Sequence, residues 1–516
     1  MVDEAKTREP AEKDVIAECI GDFGRWQLLM NVLLPLVNFP CAFHMYIPNF
    51  ITETSATCAK PVNSPLTQHQ WIQLSALDNQ SSICTIRELD YSHSYESLSQ
   101  VHTNRTILCS RWDYDTTHLG NTLVTEWDLV CDRKYLLNVA EMMYLMGVAV
   151  GGLVCGYISD RFGRKKTLMF SLLCQMVIGV FISWTPWFPL FFILRSILGF
   201  FSASVMFSGL VLCMEIVGGK WLTICGVSYM LTVPLSYITI SGIAYITRNW
   251  RILQLTISLL PILLLPLNWI VPESPRWLLT SYNKDRLKDV LQQAAKFNGK
   301  PLSDNVDELI QQSMTKRGEE PPKVRVMDLF RTRYMRKITL VMYVIWFCQC
   351  ILYYGLVLNV SALGGDVYIN SVISGVVEFS AIALSIFVLL KLGTRWPLAL
   401  GLAGAGAACL FSTLFHKEDL IHLVLITVGR FLISSPNVTV QIYTAELYPT
   451  IIRNLGLGSA NVAAGVSLIL IPYIWLMAGV DESLPIVVIG LGGVLGGLAT
   501  LLLPETAGWT EDLEKS

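Results

Sequence analysis

The sequence predicts an all-α polytopic membrane protein with twelve transmembrane helices, arranged as two six-helix halves. Three observations support this fold class: a low content of charged residues, twelve long apolar segments, and landmarks that recur in the second half of the chain. Only 15% of the 516 residues are charged and the mean hydropathy is +0.50, whereas soluble domains carry roughly 25% charged residues. The composition is therefore that of a membrane-spanning chain.

Each apolar segment is near the length of about 20 residues with which a helix crosses the hydrocarbon core. Proline and glycine within several segments are compatible with membrane helices, because neighbouring helices can satisfy the backbone groups that they leave free. The predicted spans are 24–48, 136–156, 167–184, 190–213, 221–246, 252–271, 338–358, 366–390, 397–415, 420–443, 455–478 and 484–503.

The distribution of basic residues predicts the orientation. The first twenty residues are polar and charged, so we expect no cleavable signal peptide. With residues 1–23 and 504–516 in the cytoplasm, the short inner loops hold eight lysine and arginine residues and the short outer loops hold three. This agrees with the positive-inside rule. We expect a multi-pass plasma-membrane protein with both termini cytoplasmic.

The long loop 49–135 is predicted to be extracellular. An even number of cysteines in an oxidising compartment indicates two disulfides, for which three connectivities are open. Glycans on the two asparagine sequons fit an exposed loop; the alternative is that the cysteines are free and the sequons unused. The cysteines and sequon asparagines are Cys58, Cys84, Cys109, Cys131, Asn79 and Asn104. The other nine cysteines form no C-x-x-C pair, so we predict no metal site.

A second long segment, 272–337, separates the six spans of the first half (24–271) from the six of the second (338–503). Within it, "KDRLKDVLQQAAKFNG" has apolar residues at helical spacing and ends at Gly299. This helix is expected to lie against the inner ends of the spans or on the membrane surface. The alternative is a solvated connector.

Several landmarks recur about 230 residues later in the chain, as expected for two copies of a six-helix unit. Arg195 in span four corresponds to Arg430 in span ten, and Glu215 corresponds to Glu446. The motif "PESPR" after span six corresponds to "PET" after span twelve. Substrate sites of such proteins lie between the halves, near the middle of the membrane.

These motifs carry a family resemblance. "GYISDRFGRKK" at 156–166 resembles the signature loop of the major facilitator superfamily, and "RSILG" at 195–199 resembles its span-four motif. "WDLVCDRKYLLN", "PESPRWLL" and "AELYPTIIRNLGLG", together with the cysteine-bearing first loop, resemble the organic cation, anion and carnitine transporter family. The resemblance covers nearly the whole chain. It implies the major facilitator fold and a cavity that opens alternately to the two sides.

The charged residues at the inner ends of the spans are predicted to form a cytoplasmic gate. Arginine offers planar donors to carboxylates such as Glu215, and glycine lets the loop and the helices approach closely. The resemblance implies that such pairs break as the protein opens inward; the alternative is that they fix only topology and solubility. The gate residues are Gly156, Asp160, Arg161, Gly163, Arg164, Glu215, Glu273, Arg276, Glu446, Arg453 and Glu505. The equivalent loop of the second half, "LLKLGTRWP", lacks the aspartate and one arginine. We therefore expect the gate contacts of the second half to be weaker or differently built.

Charges within the membrane point to function, and Glu378, midway along span eight, is the best candidate for attracting a cationic solute. Trp346 and Tyr353 share one helical face and can present aromatic walls to an ammonium group; the alternative is packing. For Arg430 we expect a structural role or an anion contact, and for Arg195 a structural role. By resemblance, Gly465 occupies the span-eleven position where cation carriers have aspartate and anion or carnitine carriers have arginine.

The predicted function is transport of a small organic solute, with an organic cation or zwitterion favoured. The alternatives are an organic anion carrier of the same family and a receptor or sensor that retains the fold without transport. The only other expected partners are membrane lipid and a coupling ion, whose use is left open. No nucleotide-binding motif and no cofactor motif occurs, the net charge of −2 gives no basic field for nucleic acid, and no catalytic constellation indicates an enzyme.

Overall fold

The structure is a computed structural model. It describes residues 15–52, 55–61, 64–75, 84–89, 91–93, 95–99, 105–116, 120–219, 221–300, 302, 306–316, 326–357, 366–416, 419–448 and 452–505. The sequon asparagines Asn79 and Asn104 lie outside these residues, and so does the side chain of Arg453.

In the described residues, the first part of the chain consists of helices and a loop domain that includes four short strands. Its helices are α1 (Val15–Ile20), α2 (Arg25–Leu33), α3 (Asn38–Tyr46), α4 (Pro48–Ile51), α5 (Gln68–Ser75), α6 (Tyr95–Ser99), α7 (Leu123–Trp127), α8 (Tyr135–Phe162), α9 (Arg164–Ser183), α10 (Phe188–Glu215), α11 (Trp221–Met230), α12 (Thr232–Thr247), α13 (Trp250–Leu259) and α14 (Leu267–Ile270). The strands are β1 (Ser55–Cys58), β2 (Thr85–Arg87), β3 (Thr106–Leu108) and β4 (Trp112–Asp115).

The rest of the chain is also helical. It contains α15 (Pro275–Thr280), α16 (Lys284–Asn298), α17 (Val306–Lys316), α18 (Arg333–Val357), α19 (Val367–Leu392), α20 (Arg395–Ser412), α21 (Leu420–Leu447), α22 (Arg453–Leu476) and α23 (Leu484–Thr500). Short 3₁₀ segments, such as Leu34–Val37 between α2 and α3, join some of the helices.

By length and hydropathy, ten helical stretches of the described chain can cross a membrane. They contain α2 with α3, α8, α9, α10, α11 with α12, α13 with α14, α18, α19, α21 and α22. The remaining two predicted spans coincide with α20 and with the shorter apolar helix α23. A helix therefore occupies each of the twelve predicted positions.

Local signals in the sequence set where several helices begin and end. Gly163 separates α8 from α9 at a φ of 104°, and Gly393 separates α19 from α20 at a φ of 74°. Both values lie in a region that side chains disfavour, so glycine suits both turns. Asp366 caps α19 by accepting hydrogen bonds from the backbone N–H groups of Tyr368 at 2.8 Å and Ile369 at 3.1 Å.

Helices α8 and α10 cross with their backbones in contact. A Cβ atom added at Gly147 would lie 1.9 Å from the carbonyl oxygen of Ser196, and one added at Gly199 would lie 2.2 Å from that of Tyr144. Small residues permit such close crossings in membranes, where dispersion contacts drive helix association. These two glycines therefore fix the distance between the second and fourth spans.

The loop domain is held by two antiparallel strand pairs and two disulfides. β1 pairs with β4, and β2 pairs with β3. The disulfides join Cys58 to Cys109 and Cys84 to Cys131, which selects one of the three connectivities that the sequence left open. Because Cys131 directly precedes α8, the second bridge ties the domain to the membrane helices. We call the side of the molecule that carries 49–135 the loop face.

We call the opposite side, which carries 272–337, the linker face. The side chains of Leu287, Leu291 and Ala294 of the predicted amphipathic helix, α16, are buried against the ends of the spans. Its last residue, Asn298, accepts a hydrogen bond from the backbone N–H of Trp26 at 2.8 Å. The first of the two expectations for this segment is therefore correct: the helix packs against the spans and is not a solvated connector.

The glycines at the α8–α10 crossing give a stability prediction. Gly147→Ala forces two backbones apart, and we expect a loss of roughly 1–3 kcal/mol, the cost of overpacking a tight contact. Gly242→Ala is the matched control, because an added Cβ there meets no atom within 4 Å, and it should leave stability unchanged or slightly higher. Thermal unfolding of both variants in detergent measures the difference. Equal melting temperatures would contradict the close crossing.

Candidate substrate cavity and charge clusters

A cavity of about 70 Å³ lies between helices of the two halves. It contains one carboxylate, Glu378, and four tyrosines on the walls, Tyr46, Tyr144, Tyr353 and Tyr354. Most of the remaining lining is apolar. The lining residues come from α3, α8, α10, α11, α12, α18, α19 and α21, so both halves contribute.

Glu378 is buried, with only 4% of the residue exposed. The hydroxyl of Tyr353 donates a hydrogen bond to it. Arg430 lies near enough to interact electrostatically with Glu378, but its guanidinium donates to the hydroxyl of Ser374 and the carbonyl oxygen of Leu356. Arg430 does not line this cavity. A cation inside the cavity would therefore meet Glu378 directly, while an anion would not meet Arg430.

A second cavity of about 100 Å³ adjoins the first. Trp346 and Gly465 line it, and the indole N–H of Trp346 donates to the hydroxyl of Thr444 at 2.9 Å. A Cβ atom added at Gly465 would lie 3.0 Å from that of Ala149 on α8, so the absence of a side chain lets α22 approach α8. The cavities share part of their lining: Val148, Ala203, Met206, Tyr354 and Asn437.

Four of the five predicted cavity residues line one of these cavities, and Arg430 lines neither. The four are Trp346, Tyr353, Glu378 and Gly465. The side-chain amides of the second cavity were not among the predicted cavity residues. A polar residue within a membrane helix is itself a signal of function. Applied to amides as well as to charged residues, this criterion identifies the amides of the second cavity. They are Gln349, Asn437, Gln441 and Asn461.

The arginines predicted to be equivalent in the two halves make equivalent contacts. Arg195 of the fourth span donates to the carbonyl oxygen of His44 on the first span, at 3.2 Å. Arg430 of the tenth span donates to the carbonyl oxygen of Leu356 on the seventh. The Arg195 guanidinium also lies 4.4 Å from the ring centroid of Tyr144, a cation–π contact. Each arginine thus joins the first and fourth helices of its own half.

At the linker face, Arg164 connects two carboxylates. Its Nε lies 3.1 Å from Glu215 Oε2 at the end of α10, and its Nη2 lies 2.7 Å from Asp160 on α8. Arg164 and Glu215 are mostly buried, at 12% and 18% exposure, whereas Asp160 is 70% exposed. The contact with Glu215 is accordingly less screened by water than the contact with Asp160.

The signature loop also contacts the segment after span six. Glu273 accepts a hydrogen bond from the backbone N–H of Lys165 at 2.9 Å, and a Cβ added at Gly163 would lie 2.5 Å from its Oε2. Arg276 donates to the carbonyl oxygen of Val217 at 2.9 Å. The close approach expected at Gly156 is absent, because an added Cβ there would meet no atom within 4 Å.

Arg161 differs from Arg164. Its Nη1 donates to the hydroxyl of Tyr157, one turn earlier on α8, at 3.4 Å, and its side chain is exposed. Arg161 and Arg164 were both expected to donate to carboxylates such as Glu215. In the described residues, only Arg164 contacts Glu215.

The equivalent cluster of the second half uses different donors. Glu446 accepts a hydrogen bond from the hydroxyl of Thr394 at 2.8 Å, where the signature pattern has an arginine. Arg395 donates to the carbonyl oxygen of Leu501, also at 2.8 Å. The hydroxyl of Tyr443 donates to the carbonyl oxygen of Pro504, the residue before Glu505, at 2.7 Å. Hydroxyls and backbone carbonyls thus take part in this cluster among the described residues.

Comparison with known proteins agrees with the motifs. The profile of the family described as "Sugar (and other) transporter" matches residues 90–514. The chain is 34% identical to the organic cation transporter protein of Drosophila melanogaster, over 96% of this chain and 92% of that protein. It is 33% identical to human solute carrier family 22 member 13, over 96% and 90%. The chain belongs to the organic cation, anion and carnitine transporter family of the major facilitator superfamily.

Solved structures show the same fold. The proton:xylose symporter XylE, bound to 6-bromo-6-deoxy-D-glucose, superposes with a TM-score of 0.64 at 17% identity, over 93% of this chain and 96% of that chain. The inward open conformation of the Escherichia coli xylose transporter gives 0.63 at 16% identity, over 93% and 97%. The twelve helical positions therefore have the arrangement of the major facilitator fold.

The two halves of this transporter meet at the loop face through aromatic and polar contacts. Phe50 at the end of the first span stacks on Tyr368 at the start of α19, with ring centroids 5.8 Å apart. The hydroxyl of Ser241 on α12 donates to the carbonyl oxygen of Tyr368 at 3.0 Å. The amide of Asn49 donates to the carbonyl oxygen of Val357 on α18 at 3.5 Å. We call these five residues the loop-face seal.

The unequal surroundings of the two arginines give a second prediction. Arg164→Ala leaves the partly buried Glu215 without its cation, and we expect a loss of roughly 2 kcal/mol, the scale of a hydrogen bond to a charged group. Arg161→Ala is the matched control from the same loop and should change stability by less than about 0.5 kcal/mol, as for exposed sites. Thermal unfolding in detergent compares them. A larger effect at Arg161 would contradict the described pairing.

Proposed function

We propose that this transporter carries a small organic cation or zwitterion across the plasma membrane by alternating access. One observation carries the proposal: the buried side chain of Glu378, midway along α19, lies in a cavity with aromatic walls between the two halves. We further propose that the loop face is extracellular and that both termini are cytoplasmic. The disulfides of the loop domain support this orientation, because such bonds persist in oxidising compartments.

The chemistry of the cavity favours a positive group. A carboxylate that is taken out of water costs several kcal/mol unless it is paired, and Tyr353 supplies only a hydrogen bond. An ammonium group would supply the missing charge. The rings of Tyr46, Tyr144 and Tyr353 add attraction, because a cation within about 6 Å of an aromatic face gains about 0.5–2 kcal/mol.

Relatives support a cation or a zwitterion. One is named an organic cation transporter protein, and another, 31% identical over 96% of this chain and 87% of that protein, is the beta-alanine transporter of Drosophila melanogaster. Beta-alanine carries both charges at neutral pH. An organic anion is the less favoured solute, because Arg430 is occupied by Ser374 and a backbone carbonyl and does not line either cavity. A receptor that keeps the fold would bind a ligand without moving it.

Alternating access requires the halves to separate at one face while they close at the other. At the loop face, the seal joins the two halves through Phe50, Tyr368 and Asn49. At the linker face, the pairs formed by Glu215 and Glu446 each lie within one half. Two states that differ by only a few kcal/mol would let solute binding shift the population between them.

The first test concerns the carboxylate. Glu378→Gln keeps the size of the side chain and removes its charge, so uptake of small radiolabelled amines into cells should fall at least tenfold, which corresponds to roughly 1.4 kcal/mol. Glu88→Gln, an exposed change in the loop domain, is the control and should not alter uptake. Surface biotinylation normalises for the amount of protein. Unchanged amine uptake, or loss of anion uptake alone, would show that the solute is not recognised by this charge.

The second test concerns the loop-face seal. Tyr368→Ala removes the ring that stacks on Phe50, so the open state at the loop face should gain population. A cysteine placed at Val148, in the shared cavity lining, should then react several-fold faster with a membrane-impermeant thiol reagent added outside. Phe387→Ala, which removes an exposed ring from the same helix α19, is the control. Identical reaction rates in all backgrounds would contradict the seal.

A further inference from the structure

We infer that the second cavity is an uncharged amide subsite, and that the solute is a small amine that carries a hydroxyl or amide group at its other end. The inference rests on the proposed function, since it places the ammonium group at Glu378. It narrows the solute from any organic cation or zwitterion to an amine with a neutral, hydrogen-bonding end.

Four side-chain amides converge on this subsite from three helices of the second half. They are Gln349 of α18, Asn437 and Gln441 of α21, and Asn461 of α22. Gln349 Nε2 donates to Asn437 Oδ1 at 2.7 Å, which orients both groups. Within the described part of the chain, the side chains of Gln441 and Asn461 have no hydrogen-bond partner. Each amide offers two donors and one acceptor, so the subsite has bonding capacity that the protein does not use.

The subsite is continuous with the carboxylate. Asn437 and Tyr354 line both cavities, together with apolar residues of α8 and α10. A single small molecule can therefore place an ammonium group beside Glu378 and its other end beside Gln441 and Asn461. Ligand sites of this kind are mostly apolar, with a few polar groups that fix the orientation of the ligand.

The absence of charge at the subsite decides which group it accepts. Among the described residues that line it there is no lysine, arginine, histidine, aspartate or glutamate, and Gly465 contributes no side chain. A carboxylate there would lose its hydration without gaining a cation, which is costly. A hydroxyl or an amide can both donate to and accept from the side chains present, so it can replace its bonds to water.

An apolar end would also be disfavoured. It would remove water from Gln441 and Asn461 without offering a hydrogen bond, and each buried unsatisfied group costs roughly 1–3 kcal/mol. A site built to hydrogen-bond a hydroxyl rejects the analogue that lacks it for this reason. We expect a preference of tenfold or more for a hydroxyl-bearing amine over an alkylamine of the same length.

The test compares three probes of similar size in liposomes that contain the full-length protein: ethanolamine, propylamine and beta-alanine. In the wild type, kcat/KM for ethanolamine should exceed that for propylamine at least tenfold, and beta-alanine should be the poorest of the three. Gln441→Leu and Asn461→Leu should each reduce the ethanolamine preference to threefold or less, with propylamine uptake equal or higher. Asn268→Leu, an exposed amide of α14 outside both cavities, is the matched control and should keep the preference.

Retained propylamine uptake shows that a leucine variant is folded, and the conservative changes Gln441→Asn and Asn461→Gln should restore part of the preference. Equal uptake of ethanolamine and propylamine by the wild type would overturn the inference, and so would efficient beta-alanine uptake that the leucine variants lose. An unchanged preference in both variants would also overturn it. Glu378→Gln distinguishes a failure of the amide subsite from a failure of the proposed function. If any of these contradicting results is obtained while Glu378→Gln still abolishes uptake of all amines, the proposed function stands and only the amide subsite fails.

Discussion

The cost of burying a carboxylate within a helix long and apolar enough to span a membrane is the constraint on which the proposed site depends. A buried charge is tolerated only if the surroundings or a ligand compensate it. The protein provides a hydrogen bond from Tyr353 and a more distant guanidinium, Arg430, that is held by other groups. We propose that the carboxylate of Glu378 therefore remains available to a cationic solute, and that the aromatic walls and the neighbouring amides extend the site around this one charge.

The positioning of the cavity relies on contacts that occur twice. Arg195 and Arg430 each bind a backbone carbonyl on the first helix of their own half, and Glu215 and Glu446 each bind a donor on the neighbouring signature loop. The donors differ: a guanidinium from Arg164 in the first half, and a hydroxyl from Thr394 in the second. The two halves thus share a geometry but use different donors at these positions.

Much of this architecture could be predicted from the sequence, because hydropathy, charge distribution and turn glycines act locally. The helix positions, the cysteines of the loop domain and the carboxylate in span eight follow from such signals. Other features depend on which residues meet in space. The pairing of Cys58 with Cys109, the occupation of Arg430 by Ser374, and the preference of Glu215 for Arg164 over Arg161 are of this kind. The amides were missed because only charges were treated as exceptional within the spans.

The measurement that tests the central claim most directly is equilibrium binding of choline and of its neutral isostere 3,3-dimethyl-1-butanol to the purified protein. The two molecules have nearly the same shape and differ in charge. If Glu378 recognises a cation, choline binds at least tenfold more tightly, which corresponds to about 1.4 kcal/mol, and Glu378→Gln removes that difference. If both molecules bind equally well to the wild type, or if the difference survives in Glu378→Gln, the carboxylate does not select the solute and the account is wrong.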